Sequence, residues 1–151
     1  MSHPVLLTLH LFGALIFVGA VFFEILMLEG VRKHVDRAAM REVEVAVMKR
    51  ARRLMPWVLL VLYGAGAGMA WSYRTALAHP FESSFALMLS LKILLALSVL
   101  GHFIRAITWS LQGRMTARRS RFIHLSVFWH MIAIVLLAKG MFHWNPVSGN
   151  I

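Results

Sequence analysis

The sequence predicts an all-α integral membrane protein, a bundle of four spanning helices with both termini on the outer side. Three observations carry this expectation. Hydrophobic residues make up 60% of the chain and charged residues only 15%, far from the balance of a soluble domain. Apolar stretches at about residues 5–28, 54–73, 85–109 and 122–143 each reach the roughly 20 residues that a helix needs to cross a bilayer. The cations gather in the connections between these stretches. Those connections are short, so a single transmembrane domain over 1–151 is expected, with no separate soluble module.

The first stretch opens at Pro4, a residue suited to a helix start, and leaves the apolar region near Glu29 and Gly30. It is too long for the apolar core of a cleavable signal and carries His10 and Glu24, so it reads as a retained helix. The connection that follows is long for a turn. Asp36 before Arg-Ala-Ala-Met has the form of an N-cap, which places the start of the second helix near residue 37, well before the membrane entry at Leu54. Pro56 is a candidate kink. Gly64-Ala-Gly-Ala-Gly68 offers a surface of small residues, open either to close helix packing or to a flat cofactor. A short connection containing His79-Pro80 leads to the third helix, and the basic segment Gln112–Arg121 joins the third to the fourth. Trp71, Tyr73 and Trp144 suit an outer aromatic belt, and Trp57 and Trp109 an inner one.

A formal charge of +10 invites a nucleic-acid reading, but its distribution opposes one. The first connection holds Arg32, Lys33, Arg37, Arg41, Lys49, Arg50, Arg52 and Arg53, and the third holds Arg114, Arg118, Arg119 and Arg121. Only Arg74 lies in the other connecting segments. The positive-inside rule then makes both basic connections cytoplasmic, as in a multi-pass protein of a bacterial inner membrane. The chain has no cysteine, which excludes disulfides, thiolate metal sites, iron–sulfur clusters and covalent c-type haem.

Titratable side chains inside the apolar stretches are the candidate site: His10, Glu24, Lys92, His102, Arg105, His130 and Lys139. Ionisable groups are costly in hydrocarbon and commonly mark a pathway, a cofactor or a ligand. At ~1.5 Å per residue, His10 and Lys92 fall at similar depths of roughly 8–10 Å from the outer edge. His102 and His130 fall about 10–12 Å from the inner edge on consecutive helices, where two imidazoles could clamp an iron from both faces. His10, Ala14, Phe17, Val21 and Glu24 share one face of the first helix, and Ser98, His102, Arg105 and Trp109 one face of the third. Each histidine also has a plainer reading as a hydrogen-bonded packing residue. No catalytic triad, phosphate loop or zinc motif is present, which leaves metal or haem ligation, proton transfer or transport.

The pattern His10-x6-Phe17-x-Gly19-Ala20 in the first helix resembles the first helix of the copper-resistance D (CopD) family and of the related protoporphyrinogen oxidase family HemJ, with Phe17 where those families have tryptophan. Residues 50–70 are similar to the Arg-x-x-x-apolar…Gly helix of CopD domains, and Leu89-x-x-Lys92-Ile-Leu to a Leu-x-x-Lys-Leu signature of both families. The resemblance covers most of Val5–Trp109 and carries over His10 and Lys92 as site residues. It implies a small four-helix membrane protein binding haem b, with Lys92 neutralising a porphyrin carboxylate. It also implies oxidoreductase chemistry such as protoporphyrinogen oxidation or quinone-linked electron transfer. His102, His130 and Arg105 enter the expected cofactor set from the depth and face arguments alone. Two alternatives stand beside this one. Copper handling would draw on His3, His10, Met141 and His143 at the outer side. A cofactor-free assembly subunit, in a homo-oligomer or with a respiratory partner, would use the buried polar groups as helix-to-helix pairs.

Overall fold

The computed structural model describes residues 3–143 and is all-α, with no strand among them. Four helical segments, His3–Val31, Arg37–Ser72, Ser84–Leu111 and Arg118–Met141, are long and apolar enough to cross a membrane. The protein is therefore a multi-pass membrane protein. Its large side chains bear this out: Phe12, Leu15, Trp57, Leu60, Leu94, Trp129 and Leu136 all stand more than half exposed, as side chains facing lipid do. The chain divides into two compact units, residues 1–72 and 73–151, each a helical hairpin.

In the first unit, α1 (His3–Phe22) continues through a π-helical stretch, Phe23–Leu28, into α2 (Glu29–Val31). The wider turn is visible in the bond from the Glu29 N–H to the Glu24 carbonyl. After a short bend, α3 (Arg37–Ser72) runs unbroken through Pro56. Its start is the one the sequence foretold. The Asp36 carboxylate accepts from the Ala38 N–H at 2.8 Å, satisfying a donor that the first turn would otherwise leave unpaired. α1 and α3 pack antiparallel, because Leu6 lies against Gly68, His10 against Gly66 and Gly13 against Leu62. The buried positions of α1, Gly13, Phe17 and Val21, fall on one stripe, facing a core that includes Val58, Leu59 and Ala65 of α3.

Glycine sets how close these helices come. A Cβ on Gly13 would lie 3.1 Å from the Leu62 Cβ and 3.2 Å from its Cα, so backbone meets backbone with no flexible atom between. In lipid there is no hydrophobic gain from hiding one apolar surface against another, and tight van der Waals contact takes over that role. Two glycines of the small-residue run in the second helix thus serve packing: Gly66 receives His10 and Gly68 receives Leu6, whereas none of the other described residues packs within 4 Å of a Cβ at Gly64.

The second unit begins with a short helix, α4 (Arg74–Ala78), followed by α5 (Ser84–Leu111) and α6 (Ala117–His143). Ser83 caps α5 by accepting from the Ala86 N–H at 3.1 Å, and the Tyr73 and Phe85 rings pack at 5.4 Å. α5 ends in a Schellman turn. Arg114 N–H bonds the Trp109 carbonyl at 2.8 Å, Gly113 N–H bonds the Ser110 carbonyl at 3.3 Å, and Gly113 takes the left-handed φ of 65° that this turn requires. Thr116 then starts α6 by accepting from the Arg119 N–H at 3.3 Å, several residues before the apolar stretch that the sequence marks. α5 and α6 lie antiparallel, with Ala86, Leu89 and Val99 buried on one and Ile123, Val127, Met131 and Met141 on the other.

Candidate functional site

Each hairpin positions histidines in its own way. In the first unit the space above Gly66 admits the His10 ring, whose Cε1 would lie 3.1 Å from a Cβ there. Without that side chain, the ring reaches across to the backbone of α3, and Nδ1 stands 2.9 Å from the Leu62 carbonyl oxygen. A carbonyl oxygen only accepts, so Nδ1 carries a proton. A backbone carbonyl holding the distal ring nitrogen is also how metal-ligating histidines are oriented and made more basic.

In the second unit α5 and α6 bring His102 and His130 together, as their matched depth predicted. The ring centroids are 5.5 Å apart and inclined at 55°. His102 Nδ1 donates to the Ser98 carbonyl, one turn back on its own helix, at 2.8 Å. His130 Nδ1 donates to the Ser126 carbonyl at 2.7 Å, also one turn back. Each Nε2 then faces a hydroxyl of the opposite helix, His102 to Ser126 Oγ at 3.1 Å and His130 to Ser98 Oγ at 3.1 Å. With both Nδ1 atoms protonated, the serine hydroxyls donate and the Nε2 atoms accept. The four residues close a ring of reciprocal bonds with near two-fold symmetry. Ser98-Val99-x-x-His102 and Ser126-Val127-x-x-His130 repeat one motif, and both valines are buried beside it.

This geometry departs from an iron clamped between the two rings. Each Nε2 is turned onto a serine of the facing helix rather than toward the other imidazole. A macrocycle between α5 and α6 would break both serine bonds and part helices already in side-chain contact. His102 and His130 therefore do not fit a bis-axial haem site. His10 does fit single ligation, with its proton on the far nitrogen and its ring seated in a cradle that a Cβ would fill.

Lys92, on α5, is half-buried and makes no hydrogen bond or ion pair with any described residue. Arg105 is not among the buried groups. It is exposed, and its guanidinium lies 4.5 Å from the centroid of the Trp109 ring, with Arg119 of α6 at 4.8 Å from the same ring. Among the described residues no three His, Asp or Glu side chains gather in a metal-holding cluster. Met141 is buried, while the side chain of His143 and the whole of Trp144 lie outside the described residues. Sequence reasoning missed Ser126, and it took Ser98 only as a neighbour on the helix face. The signal was the repeated Ser-Val-x-x-His spacing, which sets each serine one turn before a histidine. Comparison with family models, with curated proteins and with solved structures yields no match to this chain.

Proposed function

We propose that this chain is a bacterial inner-membrane redox protein that binds haem b through His10, and that its histidine–serine ring exchanges a proton within the membrane. The observation that supports it is the seat of His10. The Leu62 carbonyl orients the ring through Nδ1, as a backbone carbonyl does for a metal-ligating histidine, and Gly66 leaves room for it. When bound, the haem supplies one-electron exchange at its iron. The rest falls to the chain's own residues. His10 binds and orients, Leu62 keeps the imidazole basic, and the apolar walls of the hairpin exclude water, which together tune a potential.

The ring in the second hairpin suits proton exchange. When His102 takes up a proton, its Nε2 becomes a donor and the Ser126 hydroxyl turns to accept, so the contact survives with its direction reversed. The same holds for His130 and Ser98. The two rings lie 5.5 Å apart, close enough for both to share this exchange. The two serine contacts thus give a proton a hydrogen-bonded route between α5 and α6. Electron transfer to a quinone, or oxidation of a porphyrinogen, would each use such a route.

The deciding measurement is the visible spectrum of the detergent-purified chain, oxidised and dithionite-reduced, with haem stoichiometry by pyridine haemochrome. A Soret band that is lost in His10→Ala and retained in His102→Ala and His130→Ala is expected. A colourless protein from haem-replete cells sinks the haem reading and directs attention to copper analysis. A band that survives His10→Ala and disappears in His102→Ala moves the ligand to the second hairpin.

A further inference from the structure

We propose that the basic end of the second hairpin is a binding site for the phosphate of an anionic lipid headgroup, held by Arg118 and Arg119 beside Trp109. A groove of about 500 Å³ opens there between the end of α5 and the start of α6, lined by Trp109, Thr116, Arg118, Arg119 and Phe122. Two of its walls are cationic and two aromatic. Arg119 is held in place: one guanidinium nitrogen donates to the Arg114 carbonyl at 2.8 Å, and the group lies 4.8 Å from the Trp109 ring, which Arg105 of α5 also approaches. That leaves further guanidinium N–H groups to point elsewhere, since the side chain carries five. Arg118 is exposed and has no hydrogen bond or ion pair with any described residue through its side chain.

Charge complementarity supplies the second argument. No Asp or Glu occurs between residues 83 and 151, so Arg105, Arg114, Arg118, Arg119 and Arg121 have no carboxylate side chain on their own two helices. The first hairpin is built otherwise. There Arg32 pairs with Glu44 at 2.6 Å and with Glu29 at 3.5 Å. α5 and α6 thus offer this basic end no carboxylate, and arginine forks match phosphate oxygens in pairs.

The apolar walls select among anions. Phe122 lines the site largely exposed, near the start of a membrane-spanning helix, and Leu111, also exposed, ends the helix that carries Trp109. A free phosphate gains nothing from them, whereas a lipid brings a phosphate and acyl chains together at this depth. Basic pockets between spanning helices hold headgroups in this manner.

The test uses the full chain in detergent, read by native mass spectrometry. Dioleoylphosphatidylglycerol is titrated against dioleoylphosphatidylcholine, with inorganic phosphate as competitor. One tightly held phosphatidylglycerol is expected, unaffected by phosphate. Arg118→Gln with Arg119→Gln should weaken it by about ten- to thirtyfold, from the loss of two near-surface cations. Arg37→Gln with Arg41→Gln, which removes the same charge from the first hairpin, should leave it unchanged. Equal weakening by both pairs overturns the site in favour of diffuse attraction. Equal affinity for phosphatidylcholine overturns it as well, and displacement by phosphate assigns a free-anion site instead. Arg118→Lys with Arg119→Lys guards against a folding defect: charge is kept while the fork is lost, so binding should weaken several-fold. Full affinity in that variant refutes recognition by the arginine fork.

Discussion

The two hairpins solve the same physical problem by different means. Each must hold two apolar helices together in a solvent as apolar as their own side chains. The first does it with missing side chains. Gly13, Gly66 and Gly68 bring α1 and α3 to backbone contact distance, and His10 reaches across to a main-chain carbonyl. The second does it with side chains, through a reciprocal ring of two histidines and two serines. Their basic ends differ as well, the first pairing Arg32 with glutamates and the second carrying arginines without carboxylates on α5 and α6. Packing by absence leaves no tolerance for added volume, while packing by polar exchange depends on matched partners and tolerates changes in shape.

The sharpest way to break the contrast is to add volume to the first hairpin. Gly13→Leu sets a branched side chain against the Leu62 backbone, and no flexible atom there can yield. A loss of about 1–3 kcal/mol or more is expected from overpacking, read as the unfolding free energy in mixed micelles. Gly19→Leu is the matched control, because none of the other described residues packs within 4 Å of a Cβ at that position. If both cost the same, close packing at Gly13 is not what holds this hairpin.

A smaller effect is expected in the second hairpin. Ser98→Ala with Ser126→Ala removes both cross-helix bonds while keeping the shape, and membrane hydrogen bonds average about 0.6 kcal/mol each. A joint loss on the order of 1 kcal/mol follows. Because the ring has near two-fold symmetry, the single variants should cost similar amounts, and a double-mutant cycle should show coupling between them. Independent, additive effects would dissolve the ring into two unrelated bonds.

The smallest effect belongs to the ion pair at the first basic end. Arg32 and Glu44 are both more than a third exposed, so Arg32→Gln should cost about 0.2–1 kcal/mol, and less as salt is raised. A larger loss that is independent of salt would mean that this pair is shielded from water, and that the two basic ends differ by more than their carboxylates.

Much of the fold was legible because membranes impose a coarse rule. Every spanning segment must satisfy its own backbone, so a long apolar run is a helix, and its four instances could be read directly from the chain. The Asp36 cap and the start of α3 were legible for the same local reason, a side chain satisfying the first turn of its own helix. The meeting of His102 with His130 followed from counting residues to the membrane edge. Their partners did not follow. In lipid, apolar pattern does not distinguish the face that packs on a helix from the face that meets acyl chains. The face proposed for the first helix accordingly included Phe17 and Val21, which are buried, but passed over Gly13, where the helices come closest.

The sequence by itself determined that this is a four-span, cysteine-free membrane protein with its cations gathered at the helix connections, since length, composition and charge act locally and additively along the chain. Only the tertiary structure decided what each histidine touches. The register of α5 on α6 brings each Nε2 to a serine hydroxyl of the facing helix, whereas the gap at Gly66 lets His10 reach a backbone carbonyl. Those contacts depend on how two helices slide and turn against each other, a matter of angstrom-scale fit and hydrogen bonding to which the repeated Ser-Val-x-x-His spacing points without fixing the pairing.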